Sequence, residues 1–204
     1  MILKRAAFLA MLVLGLSSQS REVLAGFRVS AFGYPVVSWL QVSTDPTVGA
    51  PRLGWGVGAS MEWGLAKWLG VELTGLYAKR VVGGPLNSES EFSYAQVPLQ
   101  FRVWSNQWLS FALGGYVGFA LGGVVNRSGQ TSSGLTYSSL GYSRWDWGGV
   151  ASAGIQYPLI HHWYLFIDSR FMYGMQNIEL VPLGTSVSHW LELSVIGGLR
   201  LGTF

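Results

Sequence analysis

RWDWGGVASAGIQY at residues 144–157 and WYLFIDSRFMYG at residues 163–174 decide the fold. In the first stretch Trp145, Trp147, Ala151, Ala153, Ile155 and Tyr157 share one parity, and Arg144, Asp146, Ser152, Gly154 and Gln156 share the other. The second sets Trp163, Leu165, Ile167, Phe171 and Tyr173 against Asp168 and Arg170. A period of two is the mark of a sheet with two chemically different faces. A soluble sandwich turns its apolar face inward and carries charge outside. This chain is only 11% charged, where a soluble domain has about a quarter. The arrangement that remains is a closed barrel, apolar side in lipid and polar side in the lumen.

Composition points the same way. Half of the 204 residues are hydrophobic, and there are ten Trp, nine Tyr and ten Phe. Aromatics of this kind collect at membrane interfaces. The first segment reads as a secretory leader: Lys4 and Arg5 form its positive start, Ala6 to Leu16 its apolar stretch, and Val23-Leu24-Ala25 its cleavage site. The expected division is therefore a leader over 1–25 and a barrel domain over 26–204. Cleavage after Ser18 or Ser20 is the alternative, because Arg21 and Glu22 crowd the later site. The apolar stretch is too short to be a membrane anchor, which needs about 20 residues. Removing the leader takes away Lys4, Arg5, Arg21 and Glu22, so ten basic residues face nine acidic ones. The basic balance is thus largely the leader's, and no nucleic-acid partner is implied. The absence of Cys excludes disulfides and thiolate metal sites.

No other run is long and evenly apolar enough for a membrane helix, which leaves strands as the spanning element. Eight are expected: Phe27–Leu40, Gly54–Leu65, Trp68–Val81, Glu91–Trp104, Trp108–Leu121, the two opening stretches, and His189–Phe204. Long loops at Thr44–Arg52, Gly83–Glu89, Gly122–Ser143 and Gln176–Ser188 alternate with tight turns at Ala66-Lys67, Ser105-Asn106-Gln107 and Pro158. Outer-membrane barrels have short periplasmic turns and longer external loops. An even strand number returns both termini to the periplasmic side. Trp63, Trp68, Trp104, Trp108, Tyr157 and Trp163 flank the turns and are expected to form the inner aromatic girdle; Trp39, Trp55, Tyr77, Trp145 and Trp147 would form the outer one. Pro35 and Pro98 fall inside strands, where a bulge or a missing ladder bond is expected.

An eight-stranded barrel is filled by its own side chains. The inward charges expected are Arg28, Glu62, Glu72, Arg80, Arg102, Arg144, Asp146, Asp168, Arg170, Glu192 and Arg200. Opposite signs share each level, so the expected outcome is a salt-bridged lumen polar network, with an ion or proton path as the rival. Gly54-x-Gly56-x-Gly58 is not a dinucleotide motif, because no helix follows it. His161-His162 lacks a third ligand nearby, so neither a metal nor any cofactor is expected. Ser186-Val187-Ser188-His189 is weakly similar to the site of outer-membrane lipid hydrolases, but parity puts His189 toward lipid and Ser188 and Glu192 toward the lumen. Nucleophile, base and orienter must share a side.

These residues also carry a resemblance. Tyr94-Ala-Gln-Val-Pro98-Leu-Gln-Phe-Arg102 resembles the Tyr-x-x-x-Pro-Leu strand of the PorT-like outer-membrane β-barrel family. Asp146-Trp-Gly148, Gly154, Asp168-Ser-Arg170-Phe-Met-Tyr173-Gly174 and Asn177-Ile178 are similar to that family's later strands, and Leu76-Tyr77-Ala-Lys79 to its third. Gly75 departs from the acidic residue that often precedes the Leu-Tyr pair. The resemblance implies an eight-stranded barrel in the outer membrane of a Gram-negative bacterium; the family's namesake is linked to secretion. The expectation is a non-catalytic structural or interaction platform, monomeric, in contact with outer-membrane lipid. Its envelope protein partner would meet the loop Gly122–Ser143 through Tyr137 and Tyr142. The alternatives are a narrow channel and a lipid-modifying enzyme of the outer leaflet.

Overall fold

The computed structural model describes residues 26–41, 51–83, 89–127, 130–133, 144–176 and 189–202. The expected leader lies outside them. The strands are β1 (Phe27–Gln41), β2 (Arg52–Ala66), β3 (Leu69–Gly83), β4 (Glu89–Trp104), β5 (Leu109–Arg127), β6 (Gln130–Ser133), β7 (Trp145–Pro158), β8 (Trp163–Gly174) and β9 (His189–Gly202). The hydrogen-bonded order is β4-β3-β2-β1-β9-β8-β7-β5, and β4 also pairs with β5. Eight antiparallel strands therefore close on themselves as expected, and β6 hangs from the far end of β5. Closure satisfies the backbone of every wall strand without water, which is what a hydrocarbon surrounding demands.

The register fixes the geometry of the ring. A path perpendicular to the strands runs Arg28, Glu62, Glu72, Gln100, Gly114, Val150, Met172, Glu192 and returns to β1 at Ser38. Its return point lies well up β1 from its start, and that stagger tilts the strands by about 40° to the barrel axis. It also sets which side chains meet inside. Buried positions along the strands are even-numbered throughout, and the exposed wall is odd-numbered. The outward rows are apolar: Val57, Met61, Leu73, Leu99, Phe101, Phe111, Leu113, Ile155, Leu165, Ile167, Leu193 and Val195 are all exposed. No water-soluble monomer exposes an apolar band of this extent.

Two expectations about the wall need correction. The segment Gly122–Ser143 is not a loop from its first residue. β5 continues to Arg127, and its end pairs with β6 from Val124↔Ser133 to Arg127↔Gln130. β-branched Val124 and Val125 favour a strand, and β4, which begins at Glu89, gives them a partner in Ser90↔Val125. The second turn also differs: Lys67 and Trp68 form it, after a register shift between Gly64 and Ala66.

The two prolines interrupt pairing without shifting it. The β1–β9 ladder steps from Gly33↔Gly197 to Val36↔Ser194, passing over Tyr34 and Pro35. The β3–β4 ladder steps from Leu73↔Leu99 to Leu76↔Gln96, passing over Pro98. A residue with no N–H cannot complete the exchange on both sides. The other irregularity of β4 lies elsewhere, between Ser93 and Tyr94.

Candidate functional site

The lumen holds two separate groups of buried charge. The inner one lies at the end where β1 begins and β9 finishes. Arg102 is its centre, donating from Nε to Glu72 Oε2 at 2.9 Å, from Nη2 to Asp168 Oδ2 at 2.6 Å and from Nη1 to Ser110 Oγ at 2.7 Å. Arg170 Nη2 donates to the other Glu72 oxygen at 3.2 Å, and Thr74 Oγ1 donates to the same atom. Arg28 binds Glu62 at 3.3 Å. Arg200 lies between the two glutamates, 4.0 Å from Glu62 and 3.8 Å from Glu72, and donates to Ser30 and Gln156.

The outer group is smaller. Arg80 Nε and Nη2 both lie 2.8 Å from Glu192 Oε2, and Nη1 lies 3.3 Å from Asp146 Oδ2. Tyr116 donates its hydroxyl to that Asp146 oxygen at 2.9 Å. The Arg80 guanidinium is held between Tyr94, 4.5 Å from the ring centre, and Trp190, at 5.1 Å. Phe92 and Tyr94 both meet Trp190 edge-on.

An apolar layer separates the groups. On β3, Leu76 and Ala78 stand between Glu72 and Arg80; on β9, Ile196 stands between Glu192 and Arg200. Phe32, Tyr34, Val36, Val150 and Met172 complete the layer from β1, β7 and β8. Tyr34 fills the centre because Gly56 opposite has no side chain: a Cβ there would come within 2.2 Å of the Tyr34 ring. Ions buried this way each need a partner, because the desolvation cost of a lone charge exceeds what the fold can supply.

Of the expected network, Glu62, Glu72, Arg102, Asp168, Arg170 and Arg200 are brought together in the inner group with Arg28, and Asp146 and Glu192 in the outer group with Arg80. One expected member is not: Arg144 is exposed at the edge of β7, where the chain enters the strand. Trp104 is a second correction. Trp63, Tyr157 and Trp163 are exposed on the outer wall and Trp68 and Trp108 in the adjoining turns, but Trp104 is only 6% exposed and points into the lumen. Its Nε1 donates to Glu62 at 2.7 Å, and Arg28 and Arg200 lie 4.4 and 5.5 Å from its ring. Trp104 is the last residue of β4, where an even number still means inward; Trp68 and Trp108, also even, fall in turns, where parity gives no direction. Parity likewise turns Trp190 of β9 inward, a lumen residue absent from the expected network. Each charge group is thus capped by an indole lying against a guanidinium, a contact favoured by the ring quadrupole.

Tyr137, Tyr142, Ser186 and Ser188 lie outside the described residues. His189 packs on Tyr173 on the outer side, 5.5 Å between rings, while Glu192 is buried inside. The wall separates them, so they cannot act on one substrate atom. His161 and His162 are exposed, and among the described residues no three His, Cys, Asp or Glu are grouped to hold a metal.

A closed antiparallel wall, apolar outside and ionic inside, defines a membrane-spanning β-barrel. Residues 83–179 match the family described as outer membrane protein beta-barrel domain. The fold is similar to OprG from Pseudomonas aeruginosa, with a TM-score of 0.51 and 15% identity over 88% of this chain and 96% of that one. It is equally similar to Neisserial surface protein A, with a TM-score of 0.51 and 15% identity over 86% and 96%. No curated protein sequence matches the chain. The family match and the two barrels support a place in a bacterial outer membrane.

Proposed function

We propose that the mature chain is a monomeric, non-catalytic barrel that serves the outer membrane as a structural or protein-interaction platform, both termini periplasmic. The observation that carries this reading is the filled lumen: Arg102 joins β3, β4, β5 and β8 across the interior through Glu72, Ser110 and Asp168. A barrel braced internally is a rigid mount, and what it presents is its loops. The β5–β6 pairing, Val124↔Ser133 to Arg127↔Gln130, lies on β5 beyond its last partner on β7 and stands at the base of the segment 122–143. The PorT-like residues around Pro98, Asp146 and Asp168 favour a role beside secretion. Capture from detergent extracts tests the reading. A defined envelope protein should co-purify with the full chain and be lost when 134–143 is replaced by a short Gly-Ser linker. Equal capture by both forms overturns it.

A narrow solute path is the second reading. It is favoured by buried polar atoms that take no protein hydrogen bond: both side-chain polar atoms of Gln96, and Nε and Nη1 of Arg170. Steady unitary currents from the protein in a planar bilayer, abolished in Arg170→Ala, would select it over the platform.

A further inference from the structure

Two of the tight turns are closed by a backbone hydrogen bond of the same span and carry opposite chemistry. At the β4–β5 corner Ser105 N donates to Leu109 O at 3.0 Å, and at the β7–β8 corner Leu159 N donates to Trp163 O at 2.9 Å. Each closes over the same span of chain, one carrying Ser-Asn-Gln-Trp and the other Leu-Ile-His-His. In the first, Asn106 Oδ1 accepts from the amides of Trp108 and Leu109 at 2.8 Å, so the side chain serves the turn itself. In the second that task falls to His161, which takes a left-handed φ of 51° to bring the chain round. Leu159 and Ile160 serve the turn through their backbones alone, Leu159 N donating to Trp163 O and Ile160 O accepting from Trp163 N at 2.9 Å, and their side chains are left exposed.

Their position is continuous with the lipid-facing wall. Leu159 extends the outward row Ile155, Tyr157 by one step past the end of β7. Ile160 is 68% exposed, matching Leu113 at 69%, which lies on the wall. Tyr157 and Trp163 stand immediately above, in the position of interfacial aromatics. An aliphatic pair that leaves water for the acyl boundary gains the hydrophobic transfer free energy; in water it is the same liability on any turn.

We infer that the Leu159-Ile160 turn is a membrane-interface anchor, seated in the lipid of the leaflet on the termini side, while the Ser105-Asn106 turn stands in water at the same end of the barrel. The partner is the phospholipid itself. His161 and His162, both exposed, lie at headgroup level. The barrel is thereby held deeper at its β7–β8 corner than at its β4–β5 corner. The inference rests on the reading of the wall as lipid-facing.

The chain has no Cys, so single cysteines report one site each. Ile160→Cys, Asn106→Cys and Leu113→Cys are labelled with bimane and reconstituted in phosphatidylcholine vesicles with and without brominated acyl chains. Heat-dependent gel mobility confirms that each has folded. The expected result is strong quenching by brominated lipid at positions 160 and 113, several-fold above that at 106. Quenching at 113 with position 160 no different from 106 overturns the anchor and leaves the barrel reading intact. No quenching at 113 removes the lipid-facing wall, and the anchor with it.

Discussion

Arg102 on β4 and Asp168 on β8 meet at 2.6 Å across the lumen, although 66 residues separate them in the chain. Both are almost wholly buried. The contact exists only because the ring closes and the register is staggered. Together with Glu72 it ties opposite sides of the barrel, and the consequences of breaking it are measurable.

Removing Arg102 leaves Glu72 and Asp168 facing each other with much of their compensation gone. Arg102→Met should destabilise the barrel by about 3–5 kcal/mol, the usual cost of stranding buried charge. Urea unfolding from vesicles, followed by Trp fluorescence, gives the value. Arg102→Met combined with Glu72→Gln and Asp168→Asn should recover part of the loss. A single substitution within about 0.5 kcal/mol of the parent, the range of ordinary surface changes, would show that the network does not brace the fold.

The lumen has two seals in series, Trp104 against Arg28 and Arg200, and Trp190 against Arg80. The parent protein should pass no steady current in a planar bilayer. Trp104→Ala alone and Trp190→Ala alone should stay silent, because the other seal and the apolar layer remain. Only a variant lacking both indoles and Arg80 should conduct. A current from either single variant would mean that one cap bears the whole closure.

The outer wall should tolerate charge according to depth. Leu113→Arg, within the paired wall beside Ala151 of β7, should cost about 2–4 kcal/mol, and Leu53→Arg, the second residue of β2, about 0–1 kcal/mol. Denaturant titrations of the two in vesicles provide the comparison. Equal costs would contradict an apolar band centred on the strands.

Adjacent glycines of β7 should differ. A Cβ on inward Gly148 would lie 1.9 Å from the Tyr173 carbonyl oxygen, and one on outward Gly149 would meet nothing within 4 Å. Gly148→Ala should therefore cost about 1–3 kcal/mol through forced backbone movement, and Gly149→Ala should be close to neutral. Refolding yield and unfolding midpoint distinguish them.

What the chain determines alone is the side each residue faces. Strand geometry sends odd and even residues to opposite faces whatever the neighbours are. That was enough to read a barrel, its strand number, and an interior containing Glu72, Arg102, Asp168 and Arg170. Trp104 and Trp190 obey the same rule, but Trp104 was expected in the inner aromatic girdle from its place beside a turn, and Trp190 was given no side. Arg144 escaped because parity holds only inside a paired strand, and β7 begins one residue later, at Trp145. Partner choice was beyond the sequence. Which guanidinium meets which carboxylate depends on the stagger accumulated over eight ladders, and each ladder is set by turns and irregularities such as that between Gly64 and Ala66. The division into two charge groups and the indole caps exist only once the ring is closed, because they are relations between strands that no single strand encodes.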